Sequence, residues 1–389
     1  MTAWAPPEGE GLAPPPIARA LLERAAAERP SDPRPQLRLA ALALDRFDFE
    51  TAEAALSRAV ALDPAQAGAA AGLARCRNLL QRPAAALEAL AAVPGPEYER
   101  AMALKRLGRD AEAEAELRAV LAGDPRHRHA CRQLTKWLRK SGRGIETLAL
   151  AEDLYAAGAR HAQLFHDWGW ALALAGDVAA AKALLFDRTR VAEIVPPTPQ
   201  GAADLETFSA ALADEIASSP HLLSNFPEGE EANRGSSRLH ALFAGQRPEL
   251  FRALIATLQS VVDGWRPASA GAFDPWLEAR PARARLKAWG LVQRGDDHEE
   301  WHIHRGGWVS GVYYVSIPGA VSSASDGRGA IEYGPPPRLE AAMPGLIERW
   351  RHRPRAGSLL LAPSHYPHRT IPPRTSEPRI SFAFDVVPC

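Results

Sequence analysis

WHIHRGGWVSGVYYVSIP, residues 301–318, decides how this 389-residue chain is read. Its second half is β-branched and aromatic and runs into a proline, the composition of a strand and its end. Its first half sets His302 and His304 two apart. Residues i and i+2 of an extended chain project to one face, so both imidazoles can reach one metal ion. Similar runs lie on either side: LKAWGLVQ (286–293), GAIEY (329–333), GSLLLAP (357–363) and RISFAFDVV (379–387), separated by Gly or Pro. Five such strands at this spacing argue a barrel or double sheet. A third histidine, His368, sits in PSHYPHRTIP, 64 residues after His304. Arg379 and Ser381 share one face of the last strand, and Phe382 and Phe384 face the other way, toward an expected helical cover. His365 reads as a surface residue of a loop, and Trp289, Trp301 and Trp308 as packing residues.

Further out the period changes. RLGRDAEAEAEL (106–117), KSGRGIETLAL (140–150) and LAGDVAAAKALL (174–185) turn at Gly108, Gly142 and Gly176, each 34 residues apart. LDRFDFETAEAAL (44–56) and LLQRPAAALEAL (79–90) turn near Phe47 and Gln81, again 34 apart, whereas Gln81 to Gly108 is 27. One repeat has therefore lost about two helical turns. The 34-residue period, the Ala-rich second helices and the closing Asp63-Pro64 and Asp124-Pro125 pairs resemble tetratricopeptide repeats, most closely in WGWALALAGDVAAAKALL (168–185). Leu104, Leu107, Leu117 and Leu121 are expected to form an apolar stripe, and Ala111, Ala115 and Ala180 to allow close helix approach. One hairpin cannot bury such a stripe, so neighbours stack into a solenoid, whose concave face is suited to a peptide or protein.

The bulk numbers exclude several classes. Lys+Arg and Asp+Glu are 46 each, so the formal charge is zero and there is no basic footprint for nucleic acid. Cys76, Cys131 and Cys389 are odd in number and scattered, so a disulfide framework is not expected. Met1 to Pro16 lacks the layout of a signal peptide, and no apolar run reaches membrane length. A cytoplasmic protein is expected.

The organisation that follows is multidomain α + β: an all-α solenoid, then a double-stranded β-helix (jelly-roll) with helical cover. A lead segment and first helix occupy 1–30, helical repeats 31–190, a Pro-rich linker 191–204, the helical cover 205–285 and the jelly-roll core 286–389. Asn225 to Ser237 reads as a polar loop, and RPASAGAFDPW (266–276) as an irregular stretch.

The ordered set WHIHRGGWVSGVYYVSIP, GAIEYGPP, GSLLLAPSHYPHRTIPP and PRISFAF resembles the Fe(II)- and 2-oxoglutarate-dependent oxygenases, in the branch with a His-x-His start and a Ser-Gly-Val-Tyr-Tyr strand. The resemblance covers about 100 residues well. It implies iron held by His302, His304 and His368, and 2-oxoglutarate held by Arg379, Ser381 and Tyr314, with O2 as oxidant. Neutral imidazoles suit Fe(II), and a planar guanidinium matches a carboxylate. The family's usual ligand set is two histidines and one carboxylate, and here position i+2 is His304. Three sets stay open: three histidines, Glu332 in place of the acid, or two protein ligands only. The substrate would be a protein or peptide presented by the repeats. The alternative is a non-catalytic adaptor whose metal-binding jelly-roll has lost turnover. A competing motif, His298-Glu299-Glu300-Trp301-His302, spells the zinc-protease H-E-x-x-H, but that motif needs a helix, and glycines and a strand pattern surround it.

Overall fold

Alanine-rich segments that alternate with capped polar turns have one stable outcome, a series of helical hairpins. The computed structural model describes residues 2–7, 15–92, 94–95, 97–224, 232–268, 274–342, 344–345 and 347–389. Residues 225–231 of the polar loop and 269–273 of the irregular stretch lie outside them. The helices are α1 (Pro15–Glu28), α2 (Pro33–Leu44), α3 (Phe49–Leu62), α4 (Ala67–Leu79), α5 (Pro83–Ala89), α6 (Tyr98–Arg106), α7 (Asp110–Gly123), α8 (Arg128–Lys140), α9 (Gly144–Ala156), α10 (Ala162–Leu174) and α11 (Val178–Leu185).

All five expected turns fall between consecutive helices. Phe47, Gln81, Gly108, Gly142 and Gly176 have φ of 58°, 59°, 75°, 76° and 89°, the left-handed region that closes a helix. The short spacing between Gln81 and Gly108 is explained by α5, which has 7 residues where α3 has 14. Asp48 and Asp177 accept from the backbone N–H of Thr51 and Ala180 at 3.1 and 3.0 Å, capping the helices that follow.

Leu104, Leu117 and Leu121 of the expected stripe are buried, whereas Leu107 and the alanines expected at close approaches are not. On α7 the buried residues are Ala113, Leu117, Val120 and Leu121, while Ala111 and Ala115 are exposed. Ala181, not Ala180, is fully buried on α11. Leu107 is 42% exposed because α6 ends at Arg106 and leaves it in the turn.

The chain divides into two compact units, Leu12–Trp137 and Met1–Gly11 with Leu138–Cys389. In the first, each helix from α1 to α7 packs on its neighbour in sequence, the nearest-neighbour contact of a solenoid. The second unit holds α9 to α11 and all the strands: β1 (Ala3–Trp4), β2 (Ala192–Ile194), β3 (Asn233–Arg234), β4 (Ser237–Leu239), β5 (Arg283–Gln293), β6 (His298–Glu299), β7 (Val309–Ser316), β8 (Ile331–Tyr333), β9 (Trp350–His352), β10 (Leu359–Pro363), β11 (His368–Thr370) and β12 (Arg379–Pro388).

The main sheet runs β1-β5-β12-β7-β10-β2, with β4 beside β1 on the outer edge of β5; a second sheet runs β11-β8-β9. An isolated bridge between His302 and His368 ties the approach to β7 to the second sheet. Thus β2, inside the Pro-rich stretch, extends the sheet next to β10, and β1 lies parallel to β5. Helices α12 (Leu205–Ser218) and α13 (Pro248–Gly264) form the cover: α12 packs on β5, β7 and β12, and Phe251 of α13 stacks on Phe382 with ring centroids 6.1 Å apart. Among the described residues, no helix is long and apolar enough to cross a membrane.

Candidate metal and cosubstrate site

The three histidines meet. His302, His304 and His368 each offer a ring nitrogen within 4.8 Å of the others, and the Nε2 atoms of His304 and His368 are 3.3 Å apart. The other nitrogen of each ring is taken. His302 Nδ1 donates to the Glu300 carbonyl at 2.7 Å, His368 Nδ1 to the Tyr366 carbonyl at 3.0 Å, and His304 Nδ1 to the Asp385 carboxylate at 2.8 Å. An imidazole that donates from Nδ1 keeps its Nε2 lone pair free, which is the form that binds a metal. Crowding by protein, then by the neighbouring rings, holds His302 well below its ordinary pKa. His368 is pushed down to about 3 by the same causes. Both are neutral at pH 7, as ligands must be.

Asp385 is itself fixed. Ser310 Oγ donates to its Oδ1 at 2.8 Å and lies 2.7 Å from Ser364 Oγ, while the Ser364 carbonyl accepts from His304 N–H at 2.9 Å. Trp289 stacks on the His304 ring, centroids 5.9 Å apart and planes 18° from parallel. Gly307 makes this approach possible: a Cβ there would lie 2.5 Å from Ser364 Oγ and 3.3 Å from Asp385 Cβ.

Along the same face of β12, Arg379 is 1% exposed. Its Nη1 donates to Gln293 Oε1 at 2.6 Å and reaches Ser381 Oγ at 3.4 Å, and the guanidinium lies 5.3 Å from the Tyr314 ring centroid. No carboxylate among the described residues forms an ion pair with it. Arg379 Nε and Tyr314 Oη are both buried with no hydrogen-bond partner. Burial lowers the Arg379 pKa and pushes that of Tyr314 up to about 12. An uncompensated buried charge and two orphaned donors are costly unless an anion completes them. Donor chemistry and orphaned atoms therefore both fit Fe(II) and a dicarboxylate.

Residues 287–385 match the family model described as "Putative 2OG-Fe(II) oxygenase". Over this segment the chain is similar to that oxygenase family. The family takes Fe(II), 2-oxoglutarate and O2, and the three imidazoles could form its iron site. No curated protein matches the chain in sequence. Among solved structures the chain is similar to a prolyl hydroxylase from Trichoplax adhaerens in complex with a hypoxia inducible factor peptide fragment, at 14% identity and TM-score 0.36, covering 56% of this chain and 90% of that one. It is similar to HygX from Streptomyces hygroscopicus with nickel, 2-oxoglutarate and hygromycin B bound, at 19% identity and TM-score 0.32, covering 52% and 84%. It is also similar to MamA from Desulfovibrio magneticus RS-1, at 15% identity and TM-score 0.32, covering 36% and 84%.

Other histidines and acids near the oxygenase motifs lie elsewhere. Glu332 is buried, but its two oxygens accept from Arg351 at 2.8 Å and Arg369 at 2.7 Å, so it is not with the histidines. His298 sits in β6, paired with β3, and no helix spans 298–302, so the H-E-x-x-H motif has no shared helical face. His365 is not at the surface: it is fully buried, and its Nε2 donates to the Leu184 carbonyl at 2.8 Å, because the loop packs against Phe165 and Trp276. Trp308 packs on Trp276, and Trp301 lies between Arg349 and Arg369. Two members of the oxygenase site escaped the sequence reading, Asp385 and Gln293. Asp385 stands at a two-residue spacing from Ser381 through Ala383, a signal that continuing the Arg379–Ser381 face would have found.

Proposed function

We propose that the chain is an Fe(II)/2-oxoglutarate-dependent oxygenase that hydroxylates its substrate. The observation that carries this is the convergence of three imidazoles, each with its Nδ1 hydrogen-bonded, in one domain with a buried arginine that has no ion-pair partner among the described residues. His302, His304 and His368 would hold the iron. Arg379 would take the distal carboxylate of 2-oxoglutarate, with Ser381 and Tyr314 as further donors. Iron and cosubstrate, when bound, supply chemistry in which O2 is consumed, 2-oxoglutarate leaves as succinate and CO2, and one oxygen atom enters the substrate. The protein's own work is to hold each imidazole by its Nδ1 and to exclude water around Arg379. The helical hairpins support a protein or peptide substrate, and three cysteines outside any disulfide support a cytoplasmic setting.

Anaerobic titration with Fe(II) and then 2-oxoglutarate tests this directly. The expected result is a weak visible charge-transfer band that needs both additions, with succinate formed on admitting O2. Absence of both the band and iron-dependent succinate would end the reading.

A further inference from the structure

His302 and His368 take their orientation from backbone carbonyls two residues before them, Glu300 and Tyr366. His304 does not. Its Nδ1–H goes to a side chain 81 residues later in the chain, the Asp385 carboxylate, at 2.8 Å. The partners also differ in charge. A carbonyl is neutral, whereas a carboxylate makes a shorter, stronger bond and raises the basicity of the ring it holds. A carboxylate therefore stands behind the histidine cluster, one ring removed from the nitrogens that would face a metal.

We propose that Asp385 is the positioning residue of this centre: it fixes His304 as the third ligand and supplies, through the imidazole, the negative charge that the family's usual carboxylate places on the metal. The proposal rests on the oxygenase reading above. The surroundings of Asp385 are built for this. Ser310 donates to the same carboxylate oxygen at 2.8 Å, and Ser310 is also the cross-strand partner of Asp385. The Trp289 face restrains rotation of the ring. Both His304 and Asp385 are largely shielded, with side chains 14% and 13% exposed, so solvent weakens their bond little. Gly307 allows the loop to lie close enough for the pairing.

The test is a double-mutant cycle in the full chain, read as Ni(II) affinity by anaerobic calorimetry, with metal-free melting as a control on folding. Asp385→Ala should weaken Ni(II) binding about 10- to 100-fold, the usual cost of losing the partner behind a ligating histidine. Asp385→Asn keeps the shape and loses the charge, so it should fall between Ala and wild type. In a His304→Ala background Asp385→Ala should cause little further loss, because the two act as one unit. Equal losses in both backgrounds, or wild-type affinity in both the Ala and Asn variants, would overturn the proposal while leaving the oxygenase reading intact. A wild-type chain that binds no Ni(II) or Fe(II) would overturn both.

Discussion

Two buried arginines in the second unit make an instructive pair. Arg190 and Arg379 are each 1% exposed, and each lies beside an aromatic ring. Arg190 is answered by acids: Asp274 bonds its Nη2, and Asp187 lies 3.5 Å from its Nε. Among the described residues Arg379 bonds or stacks with neutral groups alone, Gln293, Ser381 and Tyr314. The same contrast appears within one loop. His365 and His368 are three residues apart, and burial pushes both down to about 3. His365 spends its Nε2 on the Leu184 carbonyl; His368 spends its Nδ1 and leaves Nε2 to the cluster. Burial and titration do not separate a ligand site from a brace. The direction and charge of the partners do.

The sharpest way to break this comparison is at the histidines. His368→Ala should weaken Fe(II) or Ni(II) binding by more than the roughly 100-fold that losing a supporting partner costs. His365→Phe should leave metal affinity unchanged, and it should cost about 1–3 kcal/mol of stability by stranding the Leu184 carbonyl. Calorimetry and denaturant melts read the two effects; metal loss in His365→Phe would refute the assignment.

The arginines come next. Arg379→Met should weaken 2-oxoglutarate by at least about 30-fold, from roughly 2 kcal/mol or more for a lost buried charge pair. It should not lower the stability of the ligand-free protein, because it removes an uncompensated charge. Arg190→Met should do the reverse: it should cost about 3–5 kcal/mol of stability by isolating buried Asp274 and leave 2-oxoglutarate affinity alone. A destabilised Arg379→Met protein with normal cosubstrate binding would dissolve the distinction.

A milder change converts one environment into the other. Gln293→Glu would give Arg379 an internal carboxylate where an amide oxygen now sits at 2.6 Å. The ligand-free melting temperature should rise and 2-oxoglutarate affinity should fall about tenfold, or roughly 1.4 kcal/mol. The smallest effect is expected at the tyrosines. Tyr314→Phe removes one orphaned donor and should weaken 2-oxoglutarate about threefold, within the roughly 0.5–1.5 kcal/mol of one hydrogen bond. Tyr366→Phe, whose hydroxyl donates to the Asp187 carbonyl at 3.2 Å, should not change it.

What could be read in advance was whatever repeats or alternates. The 34-residue period located five turns, including the non-glycine left-handed residues Phe47 and Gln81, because a helix must close wherever its period breaks. Two-residue alternation put Arg379 and Ser381 on one face, and i, i+2 spacing brought His302 to His304. Relations across the sheet were not legible. Gln293 reaches Arg379 because β5 pairs with β12 in a register that joins those two residues, and Asp385 reaches His304 through a loop closed by Gly307. On α7, Leu117 and Leu121 were placed correctly but Ala111 and Ala115 were not, because alanine stands at 111, 113 and 115 and leaves sequence little to distinguish one face of that turn from another. His365 looked like a loop residue because the helices that bury it are far away in the chain.

The outer edge of β5 has a consequence for handling the protein. β5 is the longest strand, and its outer side is covered in two places, at Arg283–Ala284 by β1 and at Gly290–Val292 by β4. The β1 cover is short and held from outside the sheet: Thr2 N–H and Trp4 Nε1 both donate to the Asp263 carboxylate, at 2.9 and 3.0 Å. An uncovered strand edge is a template for another copy's edge. A purification tag fused directly ahead of Thr2, or trimming of residues 2–7, would loosen that cover, and the symptom would be slow self-association into strand-paired aggregates. For this chain, affinity handles belong elsewhere.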